Sequence, residues 1–350
     1  MTHSTNGRSA AASTDASNEG AEASKDTAPR LKVVAFGGGH GLFASLRALR
    51  RLDVDLTAVV TVADDGGSSG RLRSEFDVLP PGDLRQALVA LAGEDPDGAL
   101  RSTLFQHRFP GDGPLAGHAI GNLLLTGLVE VLGGPVAALD HAGRLLGACG
   151  RVLPMSIEPL TIEAEVRGVH PDRPDERSVV RGQATVAKTP GHVLGVRLVP
   201  EAPPACPEAL AAVTAADWLV FGPGSWFTSV LPHFLVPELR AAIAKTHARR
   251  IVTLNLSDEP GETDGWSAEE HLMALTSHAP EFTVDAVVAD PRVVRDHMRL
   301  TSAAESLGGR LVVAPVSVAD GSPRHDPGAL AAVLRSVLDR ADLGWDETAR

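Results

Sequence analysis

The stretch that decides the fold is LKVVAFGGGHG, Leu31–Gly41, followed without a break by LFASLRALR, Leu42–Arg50. Leu31–Phe36 is apolar and rich in β-branched residues, as a buried parallel strand would be. Leu42–Arg50 has helical periodicity. Between them, Gly37, Gly38, Gly39, His40 and Gly41 must turn the chain from strand to helix, which leaves the first helical N–H groups without partners. Free amides and the positive end of the helix dipole both favour an anion, so the turn is a candidate phosphate seat. Four glycines in five residues exceed what a turn requires and cost backbone entropy, which favours a binding role over a plain strand-to-helix connection. The register is not that of the dinucleotide fingerprint. Counted from Gly37, the last glycine of G-x-G-x-x-G falls on Leu42.

A second turn of similar build follows Trp218–Phe221, in Gly222-Pro223-Gly224-Ser225. Around the two turns the pattern alternates. Strands are predicted at Leu31–Phe36, Leu56–Val62, Trp218–Phe221, Arg250–Leu254, Thr283–Ala289 and Arg310–Pro315, with helical segments such as Leu84–Ala92, Ile120–Leu132 and Leu235–Ala244 among them. This predicts an α/β, Rossmann-like, mainly parallel sheet with helices on both faces. Ser267–Glu270 fits a capping box, and Pro207 and Pro327 sit where a first helical residue is expected. Leu160–Arg167, Val179–Ala187 and Leu194–Val199 have no helix between them and predict a small antiparallel β insert at about residues 158–200. The expected organisation is a disordered tail over residues 1–29 and one domain over 30–345.

Among 350 residues, 43% are hydrophobic and the net charge is −12. The first figure supports a proper core; the second argues against nucleic-acid binding or an anionic membrane as partner. An anion site here has to be local, made of amides and a few placed arginines. No signal-peptide core or membrane span stands out, and the two cysteines are far apart, so a cytoplasmic protein with inert thiols is expected.

The loop after the second strand reads Val62-Ala63-Asp64-Asp65-Gly66-Gly67-Ser68-Ser69-Gly70-Arg71. Asp64 lies where an acidic residue meets a ribose in a Rossmann-like unit. Alternatively, Asp64 and Asp65 could hold Mg²⁺, which takes oxygen ligands and bridges phosphates. Ser68, Ser69 and Arg71 add hydroxyls and charge to an anion nest. Gly66-x-Ser68-x-Gly70 also matches a nucleophile elbow, but the strand ends too early and no strong helix is expected next. Asp83 is expected to cap a helix with Arg85 in its first turn, where a cation opposes the dipole and hints at an anionic partner. His118 and Asn122, four apart, are expected on one helix face. Ser225 and Thr228 are candidate phosphate or sugar contacts. Asn255 ends a strand, and Thr263 and Trp266 lie in a polar loop where a flat ring could stack on a base or sugar.

Taken together, VVAFGGGHGL, TVADDGGSSGRLR, LPPGDLRQALVAL, FQHRF, LAGHAIGNLLL, GRVLPMS, VFGPGSWFTSVLPHFLV and PGETDGW resemble the YvcK-like gluconeogenesis-factor family, the bacterial branch related to 2-phospho-L-lactate transferase. The resemblance implies ligand sites at the carboxyl ends of the strands. It also implies binding of UDP-sugars, notably UDP-N-acetylglucosamine, with a role in cell shape and envelope synthesis during gluconeogenic growth, through a protein partner it does not identify. Carried over by motif, Gly38, Gly39, Asp64, Ser68, Arg71, Asn122, Gly224, Ser225 and Thr228 would line the pocket, with Arg299 a further contact. His40 stands where relatives often have Thr, and Trp266 where they often have Tyr. The transferase branch implies the alternative: a Mg²⁺-dependent enzyme with Asp64 or Asp65 on the metal and Arg71 and Arg85 on the transferring group. The sequence offers no evident nucleophile–base pair, which favours a sensor needing no cofactor, with a UDP-sugar or dinucleotide as ligand. Assembly into a homodimer is left open.

Overall fold

The structure, a computed structural model, describes residues 29–259 and 262–339. The expected tail, apart from residue 29, and the end of the expected domain beyond residue 339 lie outside the described residues. In chain order the strands are β1 (Leu31–Gly37), β2 (Val54–Val60), β3 (Arg151–Pro154), β4 (Thr161–Arg167), β5 (Arg177–Arg181), β6 (His192–Val199), β7 (Trp218–Phe221), β8 (Arg249–Thr253), β9 (Ala286–Ala289) and β10 (Arg310–Val313). Seven of them form one parallel sheet in the order β10-β9-β8-β7-β1-β2-β3, and β5-β4-β6 form a separate antiparallel sheet.

This is the doubly wound arrangement. The chain winds outward from β1 to β2 and β3, then returns to the middle at β7 and winds the other way. The reversal lies between β1 and β7, which pair from Val33↔Trp218 to Phe36↔Phe221. Their carboxyl ends therefore open side by side, where such sheets bind ligands. Beneath the crevice Phe36 stacks on Phe221 at 4.6 Å, and Phe221 also meets Phe234 and Phe282. Helix α1 (Gly39–Leu49) leaves β1 directly and packs between α3 (Pro81–Leu91) and the helix Pro327–Asp339. Between them come α2 (Gly67–Phe76) and, after α3, α4 (Pro96–Gln106), α5 (Ile120–Leu132), α6 (Pro135–Leu146) and the short α7 (Gln183–Val186). No helix among the described residues is long and apolar enough to cross a membrane.

The expected elements are present with instructive shifts. Ile120–Leu132 and the capping box at Ser267 stand as read. The segment expected as the strand Val179–Ala187 instead breaks at Gly182, whose φ of +94° ends β5 and starts α7. A helix does begin at Gly67, contrary to expectation. Its hydroxyl-rich first turn hides the pattern, and Leu72 is its only buried apolar residue. Strand β3 has no signal beyond three buried residues, Val152–Pro154, because it is a short edge strand.

The two glycine turns touch. A Cβ placed on Gly41 would lie 2.2 Å from the Pro223 carbonyl oxygen and 2.4 Å from the Gly224 Cα. Gly41→Ala should therefore push the β1 and β7 turns apart and destabilise the fold by about 2–3 kcal/mol. Urea unfolding checks this; an unchanged midpoint would show that the contact is slack.

Candidate functional site

A cleft of about 670 Å³ opens over the carboxyl ends of β1, β7 and β8, a size that suits a nucleotide-type ligand. Its floor is Gly38–Gly41 and Pro223–Ser225; Asn255, Leu256 and Ser257 continue it past β8, and Gln183 and the Val318–Pro327 segment form walls. Helix α1 has Gly38 as its N-cap, with no side-chain cap and no acidic residue in its first turn. That leaves amides available to an anion from the ligand.

Asp83 was expected to cap α3. It lies instead in that helix's first turn behind N-cap Pro80, with its carboxylate turned toward the glycine turn. A Cβ on Gly38 would stand 2.6 Å from Asp83 Oδ2, and the Gly39 N–H donates to the Asp83 carboxylate. Asp64 is close by. Burial, and the Asp64 charge after it, push Asp83 up to about 7. A pair of carboxylates in mutual repulsion beside a phosphate-sized turn fits a hard divalent cation such as Mg²⁺. Asp83 lines the cleft, while Asp64 lies behind the lining and accepts from the Gly66 N–H at 2.9 Å. Asp65 turns the other way and accepts from the Ala184 N–H at 2.9 Å, tying its loop to the insert. Among the described residues no three potential ligands cluster, so any cation would lean on the ligand's phosphates.

The second expected group forms a buried hub behind the cleft. Ser68 Oγ lies 2.9 Å from His118 Nδ1 and accepts from Asn122 Nδ2 at 3.0 Å. Arg85 Nε donates to Asn122 Oδ1 at 2.9 Å and its NH1 to Gln106. Arg85 is in the second turn of α3, not the first, and burial, with Arg108 next, pulls it down to about 10. His118 precedes the N-cap of α5, so it shares no helix face with Asn122. The two converge on Ser68 across elements. Ser68 and His118 do form a hydroxyl–imidazole pair that the sequence did not reveal, but neither lines the cleft. Ser69 Oγ accepts from the Gly82 N–H at 3.0 Å and locks α2 to α3. Arg71 donates to the Ala116 carbonyl at 2.7 Å, away from the glycines.

On the β7 side, Gly224, Ser225, Thr228 and Asn255 line the cleft as expected, but their polar groups are largely spoken for. Asn255 donates to the Gly224 carbonyl and accepts its N–H at 2.7 Å. Ser225 Oγ donates to Glu262, at 2.7 Å from Oε1, and lies against Thr228 Oγ1. Burial raises Glu262 to about 7. The β7 turn is thus rigidified from within, which leaves the start of α1, apart from the Gly39 N–H held by Asp83, as the anion seat. Gly37, the last residue of β1, accepts from the Thr61 N–H, and His40 is exposed at the cleft mouth. Three further expected contacts lie outside, as do Gly37, Asp64, Asp65, Ser68, Ser69, Arg71, Arg85, His118 and Asn122. Thr263 is buried and accepts from the Glu259 N–H, Trp266 packs edge-on to Phe227 and His271, and exposed Arg299 pairs with Asp296. A polar loop flanking Trp266 suggested a free ring; in the fold it closes over the Phe227 cluster. Sequence reasoning missed Glu262, Gln183 and His325. His325 donates to the Leu254 carbonyl, and burial holds it down at about 4. Only PGETDGW held a hint, for Glu262.

Asp83 keeps its proton to about pH 7 in the native state and releases it near pH 4 when unfolded. Between those values the native state holds more protons, so its stability falls as pH rises and levels off above 7. Asp83→Asn carries no charge. It should match wild type near pH 4.5 and exceed it by about 3 kcal/mol at pH 8, measured by urea unfolding at both values. An equal difference at both would refute the shift.

Residues 33–309 match the family model described as 2-phospho-L-lactate transferase CofD. A Mycobacterium tuberculosis protein with gluconeogenesis factor in its name is 57% identical over 318 residues, covering 90% of this chain and 92% of that one. The Halalkalibacterium halodurans gluconeogenesis factor is 40% identical over 276 residues, covering 79% and 82%. A crystal structure of a upf0052-family member from Bacillus halodurans superposes with a TM-score of 0.78 at 35% identity, over 87% of this chain and 99% of that one. This chain belongs to the 2-phospho-L-lactate transferase CofD family, in its YvcK-like gluconeogenesis-factor branch.

Proposed function

We propose that the cleft binds a UDP-sugar, UDP-N-acetylglucosamine in the first place, and that the protein is a cytoplasmic regulator of cell shape and envelope synthesis during gluconeogenic growth. One observation carries the reading: a helix start with no N-cap side chain of its own, at the switch point of a doubly wound sheet, opening into a cleft of about 670 Å³ lined by both glycine turns. The diphosphate would sit on the α1 amides, with the nucleoside and sugar along the β8 and insert walls. Binding would change a surface offered to a protein partner. The names of the relatives agree with a role in gluconeogenic growth.

The Asp64–Asp83 pair favours a second reading, a Mg²⁺-dependent transferase of the 2-phospho-L-lactate transferase type. There Asp64 and Asp83 would hold the cation, which would neutralise charge on the nucleotide's phosphates. The Ser68–His118 pair takes no part, since it is walled off from the cleft. Both readings share one seat, and fold alone does not separate them.

Calorimetric titration with UDP-N-acetylglucosamine should show saturable binding and return the nucleotide sugar unchanged after incubation with Mg²⁺ and candidate acceptors. Acceptor-dependent release of UDP or UMP would establish the transferase instead. No saturable binding with or without Mg²⁺ would overturn the UDP-sugar reading. Without metal, an ionised Asp83 would oppose the diphosphate, so affinity should fall roughly tenfold between pH 6 and pH 8. Mg²⁺ should remove that loss, and Asp83→Asn should abolish the pH dependence.

A further inference from the structure

Three arginines gather where no carboxylate meets them. Arg71 on α2, Arg85 on α3 and Arg108 just after α4 have none within 4 Å among the described residues, whereas Arg151, Arg197 and Arg240 each lie on one. Their surroundings add positive potential. Helices α2 and α5 both start here without a side-chain cap and without an acidic residue in the first turn. Ser68 and Asn122, one from each first turn, are bonded to each other. The Arg85 side chain crosses the start of α5, where a Cβ on Gly121 would stand 2.9 Å from its Cδ. Only 2% exposed, Arg85 rests its charge on the amide oxygens of Asn122 and Gln106, and a buried charge without a counter-charge is costly. The acidic groups that act on this cluster are Asp83, turned to the glycine floor, and exposed Glu75.

The hydrogen bonds run one way. Arg85 Nε donates to Asn122 Oδ1, Asn122 Nδ2 donates to Ser68 Oγ, and Ser68 gives its own proton to the bond with His118 Nδ1, 2.9 Å away. That assignment puts the ring proton on His118 Nε2. Nε2 has no hydrogen-bond partner among the described residues, although His118 is only 5% exposed. An orphan N–H at the end of a chain polarised by a buried guanidinium is a strong donor. Arg71 and Arg108 flank it. They donate to the carbonyls of Ala116 and Gly117, the two residues before His118, at 2.7 Å each. Both are exposed and keep further N–H groups for a ligand. The Arg108–Ala119 bridge closes the loop that carries them to the ring. Burial first, then Arg71 and Arg108, hold His118 below its ordinary range, a repulsion that an anion would relieve. None of these three side chains lines the cleft. We propose a second anion site outside the cleft, in which Arg71, Arg108 and the His118 Nε2–H hold a phosphate group, inorganic or carried on a small molecule, over the joined starts of α2 and α5. Guanidinium forks and a placed N–H suit a tetrahedral oxyanion. The site stands whatever ligand the cleft takes.

Titration of the full-length protein with inorganic phosphate at about 0.1 M salt tests this. Calorimetry should show saturable binding near or below about 1 mM, and the His118 ring signals should move in proton NMR over the same titration. Arg71→Gln and Arg108→Gln should each weaken binding roughly tenfold with the circular dichroism spectrum unchanged. Arg173→Gln removes the same charge from an exposed position between β4 and β5 and should change nothing. Glycerol phosphate as a second probe separates the sources: tighter binding than phosphate assigns the site to a phosphorylated small molecule, equal or weaker binding to free phosphate. Binding that leaves the His118 signals still, or that both arginine variants retain in full, would put the anion elsewhere and overturn the proposal. No saturable binding up to about 20 mM would overturn it as well.

Discussion

Everything in the crevice depends on how closely two backbones approach at the middle of the sheet. Gly41 lies against Pro223 and Gly224 with no room for a methyl group. That contact holds the turns after β1 and β7 as one floor rather than two separate loops. Because β1 and β7 are adjacent and parallel, the start of α1 and the rigid Gly224 turn face the same space. The stack of Phe36 on Phe221 supports the floor from below.

The second constraint is polar and buried. Ser68, His118, Asn122, Arg85 and Gln106 satisfy one another across α2, α3, α4 and α5. Such a network specifies one arrangement because each lost partner leaves an uncompensated buried group. The consequence shows at the cleft. With α2 and α3 fixed, Asp83 is held close behind Gly38, with the Asp64 charge near enough to raise it. The network thus links packing to the geometry of the floor without lining the cleft.

Binding and group transfer need the same features up to the last step: amides for phosphate, a place for a cation, and walls that exclude water. This explains why one family embraces both a transferase and gluconeogenesis factors. Here the Ser68–His118 pair is spent inside the hub and does not line the cleft.

Residue order alone was enough to establish the parallel α/β class, the antiparallel insert, the Ile120–Leu132 helix and the glycine floor. Each rests on local chemistry: period, glycine and proline placement, and β-branched runs. The helix after Gly66 and the strand Arg151–Pro154 were illegible because tertiary packing, not propensity, sustains them. Which side chains meet was likewise beyond local reading. Asp65 and Asp83 are both carboxylates near glycines, yet one ties down the insert and the other faces the floor, because direction depends on helices packed from far along the chain. Trp266 looked free in a polar loop and is held by Phe227; His118 and Asn122 looked like helix neighbours and meet only through Ser68. Spacing along a chain fixes what a residue is able to do, and long-range packing decides what it is pointed at.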